Sequence, residues 1–233
     1  MKTISLITLL VLFPILSKSQ ISPGRKFLSD VIDPSMINTE LFYKGKYKEI
    51  SGSPFLEKEL QNGTIILNDD RKVENVLIRY NAYEDALLYQ IEKDQITMLD
   101  PPVIKGFEFQ PNDRKVKFIS ISFIEGKKHF YEVIYDGKST LVVRHQIKLT
   151  KKTNNAGSYG ANDMQGSAFK KLETYFLMDA TGKIFEISLT KKSLTSALGS
   201  HEEELKAFIK ENKLKVREKI DLATLLEYYD SLE

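Results

Sequence analysis

Residues 115–149 read KVKFISISFIEGKKHFYEVIYDGKSTLVVRHQIKL, and their pattern decides the fold class. Val116, Phe118, Ser120 and Ser122 alternate with Lys117, Ile119, Ile121 and Phe123, the two-residue period of a strand. Both sets are partly apolar, which predicts a central strand in a sheet packed on both faces. Glu125-Gly126 and Asp136-Gly137 interrupt the apolar runs. Asn, Asp and Gly tolerate the positive φ of tight hairpin turns, so these pairs join neighbouring antiparallel strands.

The same texture extends outward in both directions. Strands are predicted at Tyr43–Ile50, Pro54–Leu60, Gly63–Leu67, Lys72–Tyr80, Ala86–Glu92, Gln95–Leu99, Lys105–Gln110, Lys115–Phe123, Lys128–Tyr135, Ser139–Leu149, Lys171–Met178 and Lys183–Leu189. Asn62-Gly63, Asn68-Asp69-Asp70 and residues 179–182 (DATG) supply further turns. Strands recurring roughly every 8–12 residues argue for an antiparallel meander, as a curved sheet or sandwich. Pro101-Pro102 breaks the run and marks a crossing between two sheets or two small sub-domains. Residues 151–167 form a polar loop that is either functional or disordered.

After Thr190 the period becomes helical. Leu194 and Leu198 share a face and stop at Gly199. Residues 200–203 (SHEE) read as a capping box led by Ser200, ahead of Leu205, Phe208 and Ile209. Asp221 is expected to cap a last helix carrying Leu222, Leu225, Leu226 and Tyr229 at i, i+3, i+4, i+7. The expected class is α+β: a mainly antiparallel β body over 41–190, then a helical segment over 191–233 packed on it.

Residues 1–19 read as a secretory signal peptide: Lys2, the apolar run Ile4–Leu16, then small Ser17 and Ser19 at the cleavage positions. That run would rise only about 20 Å as a helix, short of a hydrocarbon core of about 30 Å. Residues 20–40 form an extended lead-in. The whole chain has 34 Lys+Arg against 32 Asp+Glu; removing the leader's two lysines leaves the mature chain neutral. Neutrality gives no electrostatic case for nucleic acid, and no later apolar run is long enough to span a bilayer. With no cysteine, disulfides, thiolate catalysis and Cys-ligated zinc are excluded.

Two stretches carry a family resemblance. Residues 63–68 (GTIILN) followed by 76–85 (VLIRYNAYED), and the tail 207–216 (AFIKENKLKV) with 221–232 (DLATLLEYYDSL), resemble secreted proteins of the Bacteroidota. The segment Tyr175–Phe185 before that tail is similar too. The resemblance implies a periplasmic or secreted location and transfers no catalytic residue.

Catalytic patterns are missing. His129, His145 and His201 are the only histidines and have no metal-ligand spacing. His129 and His145 flank the Asp136-Gly137 turn and would lie nearly opposite in a symmetric hairpin. Ser188 and Lys191 match Ser-x-x-Lys across an element boundary, and residues 157–160 (GSYG) lack the lysine of a phosphate loop. Asp69-Asp70 is too short a ligand series for calcium. Asp230-Ser231-Leu232 resembles a bacterial O-glycosylation acceptor. The aromatics are the most suggestive group, so Tyr80, Tyr83, Tyr89, His129 and His145 are the candidate ligand or partner surface.

No cofactor and no metal are implied. The reading is a secreted or periplasmic, non-enzymatic binding protein of the cell envelope, whose partner is an envelope protein or an apolar ligand. A lipid carrier and a hydrolase without a recognisable motif are the alternatives. If the leader reading holds, N-terminal sequencing of exported protein will begin at Gln20, and Leu10→Arg will retain the precursor inside the cell.

Overall fold

In the computed structural model, residues 47–92, 95–111, 114–123, 126–151, 166–179, 181–199 and 201–232 are described. The leader, the lead-in and most of the 151–167 loop lie outside them. Ten strands form one antiparallel sheet: β1 (Gln61–Leu67), β2 (Lys72–Asn81), β3 (Ala86–Glu92), β4 (Gln95–Leu99), β5 (Ile104–Phe109), β6 (Val116–Ile121), β7 (His129–Asp136), β8 (Thr140–Lys151), β9 (Ser167–Met178) and β10 (Ile184–Ile187). Their order is β10-β9-β8-β7-β6-β5-β1-β2-β3-β4, open at both edges. Helices α1 (Lys191–Leu198), α2 (Glu202–Glu211) and α3 (Lys219–Leu232) follow.

The order departs from a simple meander at one place. β5 pairs with β1, although β4 precedes it in the chain. Asp100–Val103 must therefore join two strands that four spacings of about 4.8 Å would hold some 19 Å apart in a flat sheet. Five extended Cα steps reach about 17 Å, and a hydrogen bond from Val103 N to Asp100 O (3.0 Å) folds the segment into a turn. The sheet has to roll. Pro101-Pro102 thus marks a crossing within one sheet, and the Ser120 hydroxyl donates to the Pro101 carbonyl across it.

Rolling places the inner face around its own aromatics. Tyr80 of β2 lies 5.9 Å from Phe130 of β7 and 5.0 Å from Phe118 of β6, between ring centroids. Phe107 and Phe118 stack at 4.6 Å. These rings, with Ile65, Ile78 and Leu87, make one fully buried core. A second core joins Leu141, Val143, Tyr175, Leu177 and Ile187 of the sheet to Leu194, Leu198, Leu205, Ile209, Leu222, Leu225 and Leu226 of the helices. β6 contributes to both faces as its alternation requires: Val116 and Phe118 point inward, while Ile119 and Ile121 join Tyr131, Val142 and Phe176 outside.

The ladder between β7 and β8 runs only from Glu132↔Val143 to Asp136↔Thr140. Beyond it the turn after β2 enters the gap. Ile147 N donates to Ala82 O (3.1 Å) and Phe130 N to the Asp85 carboxylate (3.3 Å). Asp85 holds φ +55° there, a left-handed conformation that Asp tolerates better than most side chains.

Four local expectations need correction. Residues 47–50 of the Tyr43–Ile50 segment form a turn, and Pro54–Leu60 is not a strand. Its backbone instead bonds the β2–β3 corner, Leu56 N to Tyr80 O (3.0 Å) and Tyr83 N to Pro54 O (3.2 Å), while Phe55 and Leu56 plug the core. His201 is the N-cap of α2 and makes no side-chain cap bond, while Ser200 lies outside the described residues. α3 begins before Asp221, whose carboxylate accepts from Lys215 N (2.7 Å) and closes the preceding turn. The stop at Gly199 agrees with expectation: φ is +62° and its N–H bonds Thr195 O.

The end of α3 is tied back to the β7–β8 turn. Buried Asp230 accepts from Ser139 N (3.1 Å), Ser139 Oγ (2.8 Å) and Tyr135 OH (2.9 Å). Burial and this carboxylate push the Tyr135 phenol up to about 12. A Cβ on Gly137 would strike Asp230 and Tyr135. Asp230→Ala should therefore cost roughly 2–4 kcal/mol by stranding buried donors, read as a fall in the urea midpoint. Asp230→Asn should cost less, because the amide oxygen still accepts.

Candidate functional site

Alternation on β7 turns Phe130 and Glu132 inward, so a carboxylate enters an apolar face. Burying it requires partners, and the structure brings three cations to it. His145 Nε2 and Lys219 Nζ each stand 2.6 Å from Glu132 Oε2, and Arg114 stands 3.7 Å from Oε1. On the other side of the imidazole, His145 Nδ1 meets Glu173 at 3.3 Å, and Tyr175 OH donates to that carboxylate at 2.7 Å. Strands β7, β8 and β9 and the first turn of α3 thus converge on one charged cluster. Its Glu132, Lys219 and Arg114 line an open cleft of about 300 Å³ between β7 and α3, together with Lys115, Tyr135 and Thr224.

The electrostatics follow from this packing. Burial pushes the Glu132 carboxyl up, but the bonds from His145 and Lys219 outweigh it and leave the group below its usual range. The His145 contact holds the Glu173 carboxyl down at about 2. Burial pulls the His145 imidazole down, yet its two carboxylates outweigh burial and raise it above 6.5. Burial and Glu173 raise the Tyr175 phenol. Both imidazole nitrogens are engaged, so His145 serves as a bridging cation between β7 and β9. Among the described residues no group of three or more His, Cys, Asp or Glu is placed to hold a metal ion.

His129 and His145 do not meet. The register Glu132↔Val143, with a bulge between Val133 and Tyr135, offsets the hairpin by one residue, and the two rings take opposite faces. His129 Nδ1 binds Asp85 at 2.6 Å, and Arg144 Nη2 lies 2.9 Å from the same nitrogen. Tyr80 OH also donates to Asp85 at 2.8 Å, so Tyr80 is an interior residue that fixes the inserted turn. Tyr89 is buried as well, and its hydroxyl has no hydrogen-bond partner among the described residues. Both tyrosines are interior residues of the sheet, not part of its solvent-exposed surface.

Tyr83 is the exposed member of the predicted group, at 36%. Its ring lies 5.7 Å from Tyr47 and 5.3 Å from Phe169, all edge to face, and Tyr47 and Phe169 are 5.3 Å apart. All three are partly open to solvent. Tyr47 OH donates to Glu84 at 2.7 Å and steadies the group. Sequence reasoning missed Tyr47 and Phe169, which come from opposite ends of the chain. It also missed Glu132, although an acid at an inward position between Phe130 and Ile134 was a readable signal.

Comparison with protein-family models, curated proteins and solved structures finds no match for this chain.

The cluster makes a pH prediction. Glu132 and Glu173 contribute stability that is present above about pH 4.5 and lost as pH falls through their lowered values. His145 contributes stability present below 6.5 and lost as pH rises through its raised value. The urea midpoint should therefore peak between about 4.5 and 6.5. His145→Gln should flatten that peak; an unchanged profile would show that the cluster does not couple to folding.

Proposed function

We propose that this chain is an exported, non-enzymatic binding protein of the bacterial cell envelope, which engages its partner through the Tyr47, Tyr83 and Phe169 cluster. The observation that carries this reading is a set of three mutually packed rings at the margin of the core, with Tyr83 exposed and Tyr47 and Phe169 partly open to solvent. Aromatic side chains held rigid by their neighbours lose little entropy on binding and bury a large area, which makes them common interface anchors. The leader pattern and the resemblance to secreted Bacteroidota proteins support export.

The inner face favours a surface mode over carriage of an apolar ligand. Phe107, Phe118, Phe130 and Tyr80 fill it, each at most 1% exposed. The clefts at the surface are open and lined largely by charged and polar groups. The paired acids favour binding over hydrolysis, because Glu132 and Glu173 already neutralise His145 and Lys219.

A photo-crosslinking residue at position 83, in the full chain expressed in its own cells, should yield one reproducible adduct. The same residue at exposed position 138, on the β7–β8 turn, should not. Tyr83→Ala should weaken co-purification of the adducted partner about tenfold or more, the scale of an interface hot spot. Identical patterns from positions 83 and 138 would overturn the surface assignment.

A further inference from the structure

The β8–β9 hairpin pairs at twelve positions, from Thr140↔Met178 to Lys151↔Ser167. β10 borders β9 only along Tyr175–Met178. Among the described residues the rest of the β9 edge carries just the bridge to Ser51, where Ser51 N donates to Ser167 O and Phe169 N to Ser51 O. The hairpin end therefore stands at a corner of the sheet.

Its outer face has an unusual composition. Register and alternation place the cross-strand pairs Arg144–Thr174, Gln146–Leu172, Lys148–Lys170 and Thr150–Ala168 on that face. These eight residues include no carboxylate. Lys148 and Lys170 stand directly opposite one another, an arrangement that repels rather than stabilises. Both are exposed, and neither has an ion-pair partner among the described residues. Exposed Lys151 lies at the end of the same hairpin. Leu172, beside the paired lysines, is 41% exposed.

We infer that the outer face of the β8–β9 hairpin docks on an anionic lipid surface, with Lys148 and Lys170 at the headgroups and Leu172 entering the acyl boundary. An anionic plane removes the repulsion between the two lysines. Juxtaposed cations and an apolar side chain suit an interface that offers charge and hydrocarbon at adjacent depths. A soluble polyanion would satisfy the lysines but give Leu172 nothing to bury. The inference does not depend on Tyr83, which lies outside this stripe.

The test uses the mature chain, residues 20–233, sedimented with vesicles of phosphatidylglycerol in phosphatidylcholine or of phosphatidylcholine alone. Binding is expected only with the anionic vesicles and should fall as salt rises. Replacing both lysines (Lys148→Gln with Lys170→Gln) should weaken it about 25-fold, roughly fivefold for each charge. The variant should melt no lower than the parent, because the change removes repulsion, so the loss reads the surface and not the fold. Leu172→Ser should weaken vesicle binding while leaving retention on dextran sulfate unchanged. Retention on dextran sulfate with no vesicle binding would overturn the lipid assignment in favour of a soluble polyanion. Equal sedimentation of parent and double-lysine variant would overturn the site.

Discussion

Four residues between β4 and β5 set the shape of this protein. The link Asp100–Val103 cannot cross the face of a flat five-strand unit, so β1–β5 roll until β4 and β5 approach. Everything on the inner face inherits that curvature. Tyr80 reaches Phe118 and Phe130 across intervening strands, and the β2–β3 turn arrives where β7 and β8 separate. Without the roll the two strands would leave backbone donors at Phe130 and Ile147 unpaired, a cost comparable to losing each hydrogen bond outright. Curvature and hydrogen-bond satisfaction are thus one problem with one solution.

Charge is handled differently in the two halves. Near β2 a single carboxylate, Asp85, gathers a phenol, an imidazole and a backbone amide around an inserted turn. Near α3 the acid is on the sheet, and the helix brings Lys219 to it. A buried ion pair is seldom a net source of stability, since desolvation offsets much of the attraction. Its value here is specificity: the helical segment has one register on the sheet in which Glu132 is neutralised, and Asp230 fixes the other end of the same helix.

The fold was largely legible. β3 and β4 fall at their predicted limits, and the other strands within a few residues, because Asp-Asp and Asp-Gly turns punctuate an alternating pattern; Asn62-Gly63, expected as a turn, is instead paired within β1. Pro54–Leu60 misled because its apolar residues do face the core, while its backbone bonds go to a corner instead of a ladder. The histidines misled because symmetry about Asp136-Gly137 ignores the bulge at Val133–Tyr135, and a one-residue slip exchanges faces. Tyr47 and Phe169 could not be paired from the sequence, since nothing local reports a contact made by distant segments. Glu132 could have been, had inward acids been weighed as carefully as histidines.

The two kinds of turn in this sheet have different engineering value. A Cβ at Gly182, in the turn between β9 and β10, or at Gly126, before β7, would meet nothing within 4 Å, and only the positive φ at each favours glycine. An insertion that keeps those glycines displaces no packed group. The turn after β2 is shaped like any other hairpin corner, yet Ala82 and Asp85 complete the hydrogen bonding of two strands far along the chain. Lengthening it by even one residue would withdraw a structural plug. Loop length in this protein is therefore neutral at some corners and part of the core at another, and only the contacts distinguish them.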